Sequence, residues 1–359
     1  MRDDAGRISL TGPRAAVALQ AVLSVALAVY VSHRLALNDG WWAAISAFAV
    51  MQTGFAASFY RGLLRVAGTA LGALLGLALG QIVGGHPVLF IILMSAASWA
   101  GLYGTLCYRH SYAWVLSVVT FVMVMGEALI EPSGLETFAW DRFCNVAIGT
   151  LACVLVAGLA DPWLRGSLRR WVTRSSEPPP PYSWSLPPAP NVDRREAAWH
   201  ALTGALAVAV LSLASDLLAL KSFSQAMVTT IALLVVPMTP GANDAAFLVL
   251  RRMTHRFAGC LIAGLIAGAL LPLIGARPLL CQLALAAGVW AGAYLQGGPI
   301  GVRYMGTQFS VAFIMVFVQD QGWTVEVGPA IERLAGVFAG ICVLGLILSG
   351  MVRVRSAVH

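Results

Sequence analysis

Long apolar runs separated by short polar breaks organise the chain from end to end. They fall at roughly 15–36, 41–58, 63–83, 87–107, 112–130 and 143–163, and then at 198–220, 223–240, 256–275, 278–296, 304–319 and 333–351. Most are about 20 residues long, the length a helix needs to cross the hydrocarbon core of a bilayer. They are continuously apolar rather than alternating, and too long to be strands of a membrane barrel. The pattern predicts an all-α polytopic membrane protein with about twelve transmembrane helices. The runs ending near 240 and starting near 304 are the most interrupted, by Pro237, Pro240, Gly297, Gly298 and Pro299.

Composition agrees with the pattern. Hydrophobic residues make up 59% of the 359 and charged ones 11%, whereas a soluble domain is about a quarter charged. The apolar surplus has to face lipid. The first run is too long for the core of a signal peptide and reads as the first span. The net charge of +7 does not indicate nucleic acid, because the basic residues stand singly or in pairs between the runs. The rule that basic residues favour the cytoplasmic side accounts for them. With the N-terminus inside, 18 Lys and Arg fall on inner segments and 5 (Arg34, Arg142, Lys221, Arg277 and Arg333) on outer ones. Both termini are therefore expected in the cytoplasm, with an even number of spans.

Between the sixth and seventh runs lies a linker at 164–197 containing Pro178–Pro181 and Pro187-Pro188-Ala189-Pro190. Proline tracts favour extended backbone and form no packed core. The linker separates a first six-helix repeat (1–163) from a second (198–359). Arg61, Arg65, Gly68, Tyr103, Arg142 and Gly149 recur 191 residues later as Arg252, Arg256, Gly259, Tyr294, Arg333 and Gly340, and Asp141 has Glu332 there. Upstream the offset is 183: Ser32, Leu35, Ala36 and Leu37 match Ser215, Leu218, Ala219 and Leu220. Six spans per half point both halves the same way, as parallel repeats about a pseudo-two-fold axis along the membrane normal. Gly68, Gly72, Gly76 and Gly80 give the third run a smooth face for close helix packing.

Motifs for enzymes are absent. There is no phosphate-binding loop, zinc-protease helix, nucleophile elbow or paired-cysteine site, so no cofactor or metal is expected. The six cysteines sit in or beside apolar runs and read as free thiols.

Several stretches form an ordered set: Trp41-Trp42-Ala43-Ala44-Ile45-Ser46 leading to Met51-Gln52, then Arg61 and Arg65-Val66-Ala67-Gly68-Thr69 with Gly72, then Asp141-Arg142 with Gly149-Thr150. The set resembles the fusaric acid resistance family, which includes the aromatic acid exporters. The resemblance covers about 41–160 well and extends more weakly over 220–350. It implies efflux of small organic anions such as aromatic carboxylic acids, driven by the proton gradient, in a bacterial inner membrane. A periplasmic adaptor protein would be a partner by the same resemblance, though no residue here demands one. Larger exporters of the family carry a sizeable cytoplasmic domain between their halves, where this chain has only the proline-rich linker.

Several polar residues are candidates for that task, each with a structural alternative. Arg61, Arg65, Arg252 and Arg256 lie at the cytoplasmic mouths of equivalent spans, where they either attract an organic anion or snorkel to lipid phosphates. Arg142 and Arg333 sit at outer helix ends against the charge bias, in the anion path or as interfacial anchors. His33 and Asp216, equivalent in the repeat, and Asp141 and Glu332 are candidates for proton coupling. Gln52 and Gln308 are polar among apolar neighbours, and either line a cavity or bond across helices. Tyr103 and Tyr294 are placed to stack on an aromatic substrate. Two other readings stay open: a passive organic-anion channel, and a membrane scaffold subunit that transports nothing.

Overall fold

A computed structural model describes residues 12–83, 86–172, 190–218, 223–236, 243–319 and 328–358. Among them are twelve α-helices, one short 3₁₀ turn (Pro132–Gly134) and no strand. The first six are α1 (Pro13–Arg34), α2 (Trp41–Val50), α3 (Phe55–Val83), α4 (Pro87–Cys107), α5 (Ser111–Ile130) and α6 (Leu135–Val172). The second six are α7 (Arg194–Leu218), α8 (Phe223–Leu234), α9 (Asn243–Ile274), α10 (Pro278–Gln296), α11 (Ile300–Phe317) and α12 (Gly328–Val358). The central part of the linker, 173–189, lies outside the described residues.

Ten of the twelve are long and apolar enough to cross a membrane. The chain is an all-α polytopic membrane protein. The expectation of about twelve transmembrane helices needs one correction, at α2 and α8. These have 10 and 12 residues and rise only about 15–18 Å, roughly half the hydrocarbon thickness. The helix stops inside each apolar run. After α2 the break reaches Gly54, whose φ of 128° is not helical. After α8 comes Val235-Val236-Pro237, and a residue before proline is pushed out of helical conformation. Pro237 marks the second break in the sequence, whereas nothing in the apolar run marks the first.

Three helices start well before the apolar runs that predict them. Helix α3 begins at Phe55, α6 at Leu135 and α9 at Asn243. Arg61, Arg65, Asp141, Arg142, Arg252 and Arg256 therefore lie about two to four turns inside helices, not in loops or at ends.

The chain forms two compact units, and neither is a sequence half. The first comprises Met1–Leu63, Cys144–Leu186 and Ala258–Val327, the second Leu64–Phe143, Pro187–Phe257 and Gly328–His359. In the first unit α1 packs on α2 and α10, and α11 packs on α10 and α2. In the second, α7 packs on α8 and α4, and α5 packs on α4 and α8. The repeat pairs α1, α2, α10 and α11 with α7, α8, α4 and α5. The two units thus share one pattern of neighbours, and each draws helices from both sequence repeats.

Glycines set the closest approaches. In the second unit a Cβ on Gly68 would lie 3.1 Å from Ala113 Cα, and one on Gly76 2.7 Å from Val124 Cβ. The smooth face of α3 therefore lies against α5. A Cβ on Gly149 of α6 would fall 2.9 Å from the carbonyl carbon of Ala43 in α2, within the first unit. One on Gly340 of α12 would fall 3.1 Å from that of Ala226 in α8, within the second. Gly149 and Gly340 differ by 191, and Ala43 and Ala226 by 183. The two sequence offsets reappear as one repeated contact.

Candidate functional site

The half-length helices leave carbonyl groups at their C-terminal ends with no intrahelical donor. In an apolar surround each unsatisfied group costs several kcal/mol. Arg61 reaches back from α3 and its Nε donates to Ala49 O at 2.9 Å. Arg252 of α9 does the same for α8, its Nη1 donating to Ala232 O at 3.5 Å and to Val235 O. Ala49 and Ala232 are 183 apart, and the arginines 191, so the cap too is repeated. His200 Nε2 adds a contact to Leu234 O at 2.8 Å. Arg61 and Arg252 thus terminate broken helices, a role absent from the expectation of an anion-collecting mouth. A guanidinium suits it because the C-terminal end of a helix carries partial negative charge.

One turn further along, Arg65 is buried, and its Nη1 donates to Tyr112 Oη at 2.8 Å. Its repeat partner Arg256 is also buried, and its Nη2 donates to Thr229 Oγ1 at 3.0 Å. Neither reaches a lipid headgroup by snorkelling, since both are 6% exposed or less. Arg142 is 2% exposed and Asp141 8%. Arg142 is two turns inside α6, which starts at Leu135, and its side chain is buried in protein. The side chains of Arg333 and Asp216 lie outside what is described, and Glu332 is exposed.

Tyr103 stacks on Trp99 (ring centroids 5.2 Å apart, planes at 8°), and Tyr294 on Trp290 (5.2 Å, 19°). Trp99 and Trp290 are themselves 191 apart, a further match in the repeat. Each tyrosine ring already has an aromatic partner on one face. Gln308 is buried beside Gly259, at a helix–helix contact. Gln52 Nε2 donates to the preceding carbonyl, Met51 O, at 2.6 Å, and its backbone N–H donates to Ser58 Oγ at 3.0 Å. It therefore holds the turn after α2.

His33 lies at the end of α1 and lines a cavity of about 380 Å³ within the first unit, between α1, α10 and the end of α11. Nearby, Ser32 Oγ donates to Asn145 Oδ1 at 2.6 Å and Asn145 Nδ2 to Asn38 O at 2.7 Å. This buried link ties α6 to the α1–α2 turn, and no motif flagged it. Among the described residues no three His, Cys, Asp or Glu side chains converge as metal ligands.

The structure thus places Arg61, Arg65, Arg252 and Arg256 within the helices that follow the breaks, the first of each pair half-buried and the second buried. Thr229 stands out in the sequence as a polar residue in an apolar run, able to bond across helices or line a cavity, whereas Tyr112 carries no such signal.

Comparison with known proteins gives the same family as the ordered motif set. Residues 14–177 match the model of the fusaric acid resistance protein family. The chain is 28% identical over 167 residues to the p-hydroxybenzoic acid efflux pump subunit AaeB of Escherichia coli K12, covering 43% of this chain and 25% of that protein. Against the subunit of the same name from Edwardsiella ictaluri it is 33% identical over 153 residues, covering 40% and 23%. The chain spans about a quarter of the length of these relatives. No solved structure matches. The stretch similar to the fusaric acid resistance family is thus the one that holds α1 to α6 with Arg61, Arg65 and Arg142.

Proposed function

We propose that this chain is a secondary exporter of small organic anions, aromatic carboxylic acids among them, in a bacterial inner membrane. The observation that carries the proposal is the similarity of two fifths of the chain to efflux pump subunits named for an aromatic acid. The buried Arg65 and Arg256 support it. They place guanidinium groups inside apolar helices, where an anion is attracted far more strongly than in water. Both termini face the cytoplasm in this reading, and the two repeats relate by a pseudo-two-fold axis along the membrane normal. Helix α2 and the four residues after it together reach about 28 Å, enough to carry the chain across. The charge bias of 18 to 5 depends on that crossing.

Transport is coupled to protons, with His33, Asp216, Asp141 and Glu332 as the titratable groups available. Arg142 and Arg333 take part in the anion path. A periplasmic adaptor is the partner that the relatives' designation as subunits suggests.

The test is uptake of radiolabelled 4-hydroxybenzoate into everted vesicles with and without an imposed pH gradient. Uptake that needs the gradient, and is lost in the Arg65→Ala, Arg256→Ala double variant, is the expected result. Uptake that follows membrane potential alone would make the protein a channel. The potential favours anion exit by about 2.3 kcal/mol per charge per 100 mV. No uptake of any carboxylate by folded protein would overturn the transport reading.

A further inference from the structure

The cavity at α1, α10 and α11 is lined by two kinds of residue. The helix bodies supply Val25, Val29, Leu285 and Val289, an aliphatic wall. The helix ends supply Tyr30, His33, Gln282 and Gln319. Apolar walls with a few placed polar groups are the mark of a small-molecule site. The volume of about 380 Å³ equals roughly a dozen waters at about 30 Å³ each, which suits one substituted ring. Arg34 stands at this end, its guanidinium carbon 5.9 Å from the centre of the Tyr30 ring. A cation beside a polar rim favours a carboxylate over an acyl chain, which needs no polar end at all.

The repeat shows that this chemistry is not a packing necessity. At the equivalent positions of the second unit Tyr30, Arg34, Gln282 and Gln319 become Leu213, Leu217, Ile91 and Ala128, and Val29 and Val289 become Ser212 and Ser98. The rest of the wall stays apolar there, as Val208 and Met94, and His33 becomes Asp216, so it is the cationic rim that belongs to one unit.

We propose that this cavity is a binding site for a single monocyclic aromatic acid, with the ring between α1 and α10 and the carboxylate at His33, Gln282 and Arg34. The site rests on the export reading, for which it specifies a docking point, and its occupancy is measured without transport. The full chain, purified into lipid nanodiscs, is titrated with 4-hydroxybenzoate by calorimetry. Wild type binds one equivalent. Ala286→Phe fills the cavity from α10 and removes saturable binding. Arg34→Gln leaves the shape and weakens binding up to about fivefold. Unchanged thermal unfolding shows that each variant is folded. Binding that survives Ala286→Phe, or a stoichiometry of two, overturns the site. So does one equivalent of co-purified phospholipid that fills wild type and is lost in Ala286→Phe, which would make the cavity a lipid site. Vesicle uptake by the same variants separates the two readings. Uptake undiminished in Ala286→Phe overturns the site and leaves export standing, whereas lost binding with no wild-type uptake supports the site and overturns export.

Discussion

Substituting Gly340 by alanine puts two effects of known sign against each other. Alanine gains about 1 kcal/mol of helix propensity over glycine. At Gly340 the added methyl would fall 3.1 Å from both the Cα and carbonyl carbon of Ala226, and closer still to its oxygen. Those are backbone atoms of α8, which cannot rotate aside as a side chain can. Thr230 Oγ1 also lies 3.4 Å from Gly340 O, so separating the helices loosens that contact too. Overpacking of this kind costs about 1–3 kcal/mol, and a backbone clash belongs at the upper end. Net destabilisation is then about 1–2 kcal/mol. At Gly345, on the same helix, an added methyl would meet nothing within 4 Å, so Gly345→Ala keeps the propensity gain alone. Propensity cancels between the two variants, and their difference of about 2–3 kcal/mol isolates the close contact. Equilibrium unfolding of the purified protein in mixed detergent micelles measures it. Gly149→Ala, against Ala43 in the other unit, should behave like Gly340→Ala. Equal stabilisation by Gly340→Ala and Gly345→Ala would refute the close approach of α12 to α8 and, with it, the repeated contact.

Three further outcomes follow from other sites. Arg61→Ala and Arg252→Ala should each lower stability by about 1 kcal/mol by leaving half-buried carbonyls without donors, with partial rescue by lysine, and the thermal midpoint reads this directly. Asn145→Ala should cost about 1–3 kcal/mol by removing the link from α6 to Ser32 and Asn38, and Ser32→Ala less, both measured by the same melt. Ala36 holds a positive φ of 51° in the α1–α2 turn, so Ala36→Gly should raise stability by about 1 kcal/mol. A lowered midpoint would show that this turn is not strained.

Apolar runs announced every helix, because lipid-facing surface must be continuous and long. Their ends were less legible. Arg61 and Asp141 fall just before the apolar runs at 63–83 and 143–163, because charge inside an apolar bundle is costly, yet the helix continues wherever a partner is available. For Arg61 that partner is a carbonyl at the end of α2, created by a break that hydropathy does not record. The repeat was readable from Arg65 and Arg256, but not that their chemistry rests on Tyr112 and Thr229. Those hydroxyls arrive from other helices, and spacing along one chain says nothing about them. The cavity at His33 was equally invisible, since its walls are ordinary valines and leucines until three helix ends bring them round Tyr30 and Gln282.

Neither unit can be completed from one repeat, because α1 and α2 find their neighbours in α10 and α11, and α7 and α8 find theirs in α4 and α5. During synthesis, the first six helices are in the membrane before either unit has its full set of partners. The small-residue faces of α1 and α2 then wait in lipid until the ribosome has delivered the last third of the chain. Severed at the linker, the two pieces should be unstable apart and should rescue each other when made together. This is the behaviour of an exchanged dimer whose subunits have been joined end to end.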